Sequence, residues 1–157
     1  MAQRRKGLFR SVYGWFPVTN VTVYASGLSF DVDSAHEVPP NELDGQIIRR
    51  AASILSTARV WNRMDNRKCP SDATTWSIYC AMEKATAEIS GGEDHRRPGM
   101  ELVREIVDDR SAGRNYNHRL MDYNNDPRTT LADVQSIFAE ALVRMRDRTW
   151  LRHHGFQ

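Results

Sequence analysis

From Asn41 onward the apolar residues fall at helical spacing, and this limits the fold more than any other feature of the chain. Ile47, Ala51, Ile54, Ala58 and Trp61 recur every three or four residues, with Ile48 and Leu55 widening the stripe. Such a stripe must be buried against other elements, so the spacing predicts an amphipathic helix in a packed domain. Asn41 and Asp44, placed after Pro39 and Pro40, form a capping-box pattern at its start.

The same logic extends down the chain. Residues 62–70, N-R-M-D-N-R-K-C-P, read as a charged loop. A second helix is predicted from about Ser71 or Asp72, with Trp76, Tyr79, Cys80 and Ala87 inward, stopped by Ser90-Gly91-Gly92. Pro98 suits the first turn of a third helix carrying Met100, Val103, Ile106 and Val107, with Gly113 placed to cap its end. A short fourth helix is expected over 115–122, and a last one from Thr130 to Arg146 on Leu131, Val134, Phe138, Ala141 and Met145. Before Asn41 the pattern differs. V-T-N-V-T-V-Y and L-S-F-D-V flank a Gly-containing connector, and this predicts a β-hairpin over 18–32. The expected fold class is mainly α with a small β part: an orthogonal bundle of four to five helices plus an N-terminal β-hairpin. The expected domains are a basic tail, hairpin and linker over 1–40, a helical domain over 41–148 and a basic C-terminal tail over 149–157.

Composition narrows the function classes. With 157 residues, 40% hydrophobic and 27% charged, the chain matches one globular domain. A net charge of +2 gives no strong field to attract nucleic acid. No apolar run is long enough to span a membrane, and the basic opening segment lacks the apolar stretch of a signal peptide. Cys69 and Cys80 fit no zinc spacing and are read as two reduced thiols in a cytoplasmic protein, Cys80 as a small buried hydrophobe. Cys69, beside Arg67 and Lys68, is also a conceivable reactive cysteine.

Three constellations carry candidate chemistry. Asp122, Asn124, Asp126, Thr130 and Asp133 stand in the register of a calcium loop, where alternating oxygen side chains turn toward a hard cation. Pro127 occupies the position that needs a positive φ, which its ring forbids. The competing reading is architectural: Asp126 before a proline leaves the helix, and Thr130 with Asp133 caps the next one. Basic residues cluster at Arg59, Arg63, Arg67 and Lys68, and again at Arg144 and Arg148 near the chain's end. If they converged they would offer phosphates a face with Trp61 as a stacking platform. His36, His95 and His118 are available as bases, but no nucleophile motif, phosphate loop or cofactor fingerprint accompanies them. No cofactor and no catalytic residue is expected.

Ile48, Ala51 and Ala52, then Tyr79-Cys80-Ala81, then Asn125-Asp126 with Thr130, Val134, Phe138 and Ala141 occur in this order. Over about 43–146 the chain thereby resembles a family of short bacterial and phage proteins known only as a domain of unknown function. The resemblance implies a helical fold and a bacterial or mobile-element setting in the cytoplasm, and no chemistry. The favoured function is a non-enzymatic protein-binding or regulatory module, its partner or a second copy meeting the hairpin edge. Alternatives are a nucleic-acid-binding accessory protein using the arginine clusters, and a small hydrolase or metal-dependent enzyme centred on Asp122–Asp126 and His118.

Overall fold

The computed structural model describes the backbone of residues 38–111 and 113–153, side chains through 147, and the backbone of short strand segments before residue 30. The chain forms two compact units, Met1–Glu37 and Val38–Gln157. The second contains five helices: α1 (Glu42–Ile54), α2 (Ile78–Ser90), α3 (Pro98–Arg110), α4 (Arg119–Asn125) and α5 (Leu131–His153). Helix α1 packs against α2, α3 and α5, while α4 packs on α2 and α3.

The apolar periodicity is what closes this bundle. Ile47, Ile48 and Ala51 of α1 meet Ile78, Met82 and Ala85 of α2, Val103 and Ile106 of α3, Tyr123 of α4, and Val134 and Phe138 of α5 in one buried cluster. Burying such side chains stabilises by about 25 cal/mol per Å² of apolar surface removed from water, the main favourable term here. Two capping boxes fix helix starts as the sequence predicts. Asn41 Oδ1 accepts the Asp44 N–H at 3.2 Å while Asp44 Oδ2 accepts the Asn41 N–H at 2.9 Å. Thr130 and Asp133 do the same for α5, at 3.2 and 2.8 Å. Asp44 is fully buried and its other oxygen receives Arg97 Nε at 3.0 Å. Gly99 lies so close that a Cβ there would stand 3.0 Å from Asp44 Cβ, which favours glycine at that position.

The expected N-terminal β-hairpin is overturned. The described residues of the packed unit contain five helices and no strand, and its core is built from those helices and the loops between them. The strand segments before residue 30 belong to the other unit. They form two separate pairs, Gly7–Ser11 with Gly14–Val18 and Thr22–Tyr24 with Gly27–Ser29. Phe30 and Val32, on which the hairpin alternation rested, lie outside the described residues. The second pair has strands of three residues each.

Element boundaries moved where tertiary contacts override local pattern. Helix α1 ends at Ile54, leaving Ala58 and Trp61 in a loop. Trp61 pairs with Trp76 in a short backbone bridge: Asn62 N–H donates to Trp76 O at 2.9 Å, and Trp76 N–H to Val60 O at 2.7 Å. That bridge holds Trp76 in extended geometry and delays α2 to Ile78, where Ser77 Oγ accepts the Cys80 N–H at 3.1 Å. Helix α4 begins later than expected and α5 runs on to His153. Cys69 and Cys80 are not free thiols: they are joined in a disulfide across a Cα–Cα distance of 5.3 Å, which corrects the reduced-thiol expectation. The sequence could not show this, because the pairing depends on the loop over 62–77 folding back onto the first turn of α2.

Candidate anion-binding cleft

The polar stretch 116–130 builds the fold's central joint. Asn124 is fully buried, and its side chain uses both of its polar groups. Oδ1 accepts from Trp61 Nε1 at 2.8 Å and from the Ile78 N–H at 3.1 Å, and so caps α2 from another helix. Nδ2 donates to Asn62 O at 2.8 Å and Asn125 Oδ1 at 3.1 Å. Asn125 in turn clasps the loop backbone, accepting the Asp65 N–H at 2.7 Å and donating to Asp65 O at 2.9 Å. Adjacent asparagines thus pin the loop over 62–77 to α4.

Within that loop, three side chains turn the backbone on themselves. Asn62, Asp65 and Asn66 accept the N–H groups of Met64, Arg67 and Lys68 at 2.9, 2.7 and 3.0 Å. The turns drive Arg67 to φ 61°, and it is the sole described non-glycine residue with positive φ. An L-residue adopts this conformation only when its surroundings hold it there, and such positions cluster at functional sites.

Held this way, Arg67 projects over the Tyr79 ring, 6.0 Å from the centroid, with Nη1 3.4 Å from His118 Nδ1. These three side chains line a surface cleft of about 200 Å³ together with Arg104, Arg119 and Leu120. Arg104 of α3 donates to His95 O at 2.9 Å and pairs with Glu101. Arg119 pairs with Asp108 at 2.8 Å and Glu101 at 3.3 Å. Arg104 and Arg119 share Glu101, Arg119 also holds Asp108, and Arg67 forms no ion pair with a described carboxylate. Burial pushes the Tyr79 phenol above its ordinary range, so its hydroxyl stays protonated and can donate. One turn along α2, Glu83 is buried with Oε1 unpartnered. Burial, then repulsion from Glu93, pushes its carboxyl up. A loop-mounted arginine over an aromatic ring, backed by two more guanidiniums, suits an anion with several oxygens.

The other expected site residues fall elsewhere. In the calcium-loop set, Asp122 accepts the His118 N–H at 2.9 Å, and Asn124 faces Trp61. Asp126 receives Arg114 at 2.9 Å, Tyr116 at 3.0 Å and Arg128 at 2.8 Å, and Asp133 caps α5. Each oxygen set points to a different partner. Hydrogen bonds from Arg128 above all, then from Tyr116 and Arg114, hold the Asp126 carboxyl far below the usual carboxylate range.

The basic cluster divides as well. Arg63 Nη2 reaches the carbonyls of Asp126, Pro127 and Thr129 at 3.2, 3.2 and 3.1 Å, stacked 5.1 Å from the Trp61 ring, which makes it a clamp on the turn before α5. Arg59 and Lys68 are exposed. Arg144 pairs with Asp109 at 2.7 Å and with Glu140. The Arg148 side chain lies outside the described residues. Of the loop cluster, Arg67 alone lines the cleft. Arg104 and Arg119 were missed because they sit among acidic residues on helices whose apposition the sequence does not announce.

The bundle and its cleft define a small helical domain with a polar surface site. The chain belongs to DUF6197, a family of unknown function, whose model matches residues 39–144 and so takes in the start of α1 and most of α5. No curated protein and no solved structure matches the chain. Among the described residues, no helix is long and apolar enough to cross a membrane.

Proposed function

We propose that this domain is a non-enzymatic binding module that recognises a phosphate group carried by its partner in the cleft of Arg67, Arg104, Arg119, Tyr79 and His118. The observation that carries the reading is Arg67 itself: held at positive φ by the loop's own turns, aimed over Tyr79 and free of a carboxylate partner. A guanidinium kept unpaired at a conformational cost has its donors available for an incoming oxyanion. The regulatory role and the bacterial or phage setting expected from the sequence belong to this reading, as does the cytoplasm.

The test is a titration of the ¹⁵N-labelled full chain with inorganic phosphate, with acetate as the carboxylate control. Phosphate is expected to shift the resonances of Arg67, Tyr79, His118 and Leu120 as a group, and acetate much less. Each charge-assisted hydrogen bond is worth about 1.5–3 kcal/mol, so Arg67→Ala should weaken phosphate binding by about 10- to 100-fold. Arg59→Ala, which alters a basic residue outside the cleft, should leave it unchanged. Equal affinity in wild type and Arg67→Ala, or shifts scattered over every arginine, refutes the reading.

A further inference from the structure

We infer that the Cys69–Cys80 bond is a reversible thiol–disulfide site that holds the cleft in its anion-binding form. The inference rests on the cleft being an anion site. The bond joins two of the cleft's walls, because Cys69 follows Arg67 by two residues and Cys80 adjoins Tyr79. The loop's ends are anchored without it. The Trp61–Trp76 bridge fixes its base, and Asn125 grips Asp65. Between residues 66 and 75 the described backbone N–H groups bond locally, Arg67 to Asp65, Lys68 to Asn66 and Ala73 to Pro70, and the one described longer-range backbone contact is Lys68 O with the disulfide's own Cys80 Sγ at 3.5 Å. The disulfide is thus the covalent tie that binds this segment to α2 and, together with the turn made by Asp65, keeps Arg67 at φ 61°. Without it, Arg67 can relax to an ordinary backbone region and carry its guanidinium away from Tyr79 and His118.

The placement of the two sulfurs suits exchange. Cys69 is exposed and open to attack, whereas Cys80 is buried in the first turn of α2. A thiolate of a dithiol reductant attacks Cys69 Sγ. The S–S bond breaks and its electron pair leaves on Cys80 Sγ, which takes up a proton. The helix N-terminus stabilises that leaving thiolate. The reductant's second thiol then attacks its own sulfur in the mixed disulfide and releases Cys69, which is protonated in turn. In sum the two cysteines gain two electrons and two protons, and the dithiol becomes a disulfide. Disulfides that come and go in this way are the kind found in reducing compartments, where they serve as sensors.

The full chain is titrated with inorganic phosphate before reduction, after mild dithiothreitol, and after reoxidation. Reduction without denaturant should yield two titratable thiols, keep the helical circular dichroism, and weaken phosphate binding at least tenfold; reoxidation should restore it. Arg67→Ala should show the same residual affinity in both states, which separates release of Arg67 from a general loosening. Unchanged phosphate affinity on reduction refutes the coupling and leaves the anion reading intact. If the oxidised wild type binds no phosphate, the anion reading falls. The coupling is then judged by amide hydrogen exchange: faster exchange confined to residues 66–75, with shifted Tyr79 and His118 resonances, supports it, and unchanged exchange overturns it. A disulfide that resists reduction until the bundle unfolds also overturns it.

Discussion

Replacing Asn124 by alanine tests whether one buried amide really joins the loop, α2 and α4. The substitution removes an acceptor shared by Trp61 Nε1 and the Ile78 N–H, and a donor to Asn62 O. Ile78 is fully buried, so its N–H has no route to water and bears the full penalty of an unmade bond, about 1–3 kcal/mol. Trp61 and Asn62 are half-buried, and water can partly replace the amide there, so each contributes about 0.5–1.5 kcal/mol. Together these give a loss of about 2–6 kcal/mol, a large share of the about 5–15 kcal/mol typical of a folded domain. Urea unfolding followed by far-ultraviolet circular dichroism measures it, with an unchanged m-value showing that two-state behaviour persists. Asn117→Ala, at an exposed position, is the control and should stay within about 0.5 kcal/mol of wild type. A loss below about 1 kcal/mol for Asn124→Ala would show that the loop is held by other means and would refute the joint.

Thr130→Ala removes the hydroxyl that accepts the Asp133 N–H at the start of α5 and should lower stability by about 1 kcal/mol in the same assay. Glu83 gives a pH signature. Its folded pKa is raised, so its favourable contribution is complete below the unfolded value near about 4.3 and is lost as pH rises through the folded value. Glu83→Gln should therefore melt higher than wild type at pH 7, with the difference vanishing near pH 4; a constant difference across that range refutes the assignment. Asp126 has the opposite sign: its depressed pKa makes its contribution full above about pH 4 and progressively lost on acidification, and Asp126→Asn should flatten that part of the acid melting profile.

The helical domain was legible in the chain because burial leaves a period. Ile47, Ile48, Ala51, Val103, Ile106, Val134 and Phe138 were placed on apolar faces, and all are buried. The capping boxes at Asn41 and Thr130 were legible for a related reason: a cap is a contact three residues long, so its chemistry is local. Trp61 and Trp76 were assigned to helices because an aromatic at helical spacing carries the same signal whether it ends a helix or bridges to another segment. The hairpin failed for the converse reason. Alternation is a weak signal over a few residues, and nothing local says whether a core exists for it to face.

The site was legible only in fragments, and the fragments were misassigned for one physical cause. Oxygen-rich side chains at alternating positions look alike whether they converge on a cation or diverge to separate donors, since sequence records their spacing and not their direction. Asp122, Asn124, Asp126 and Asp133 diverge: one caps α4, one joins the loop to α2, one collects two arginines and a tyrosine, and one caps α5. Two of the residues between them and the loop, Asn124 and Asn125, determine where Arg67 sits, sixty residues away in the chain yet directly linked through Asn62 and Asp65. The two asparagines are therefore connected to the cleft as a mounting, while His118 and Arg119 of the same stretch line it directly. It follows that a substitution at Asn125, which touches no cleft residue except through Asp65, should weaken phosphate binding through the loop while leaving the guanidiniums of Arg104 and Arg119 in place.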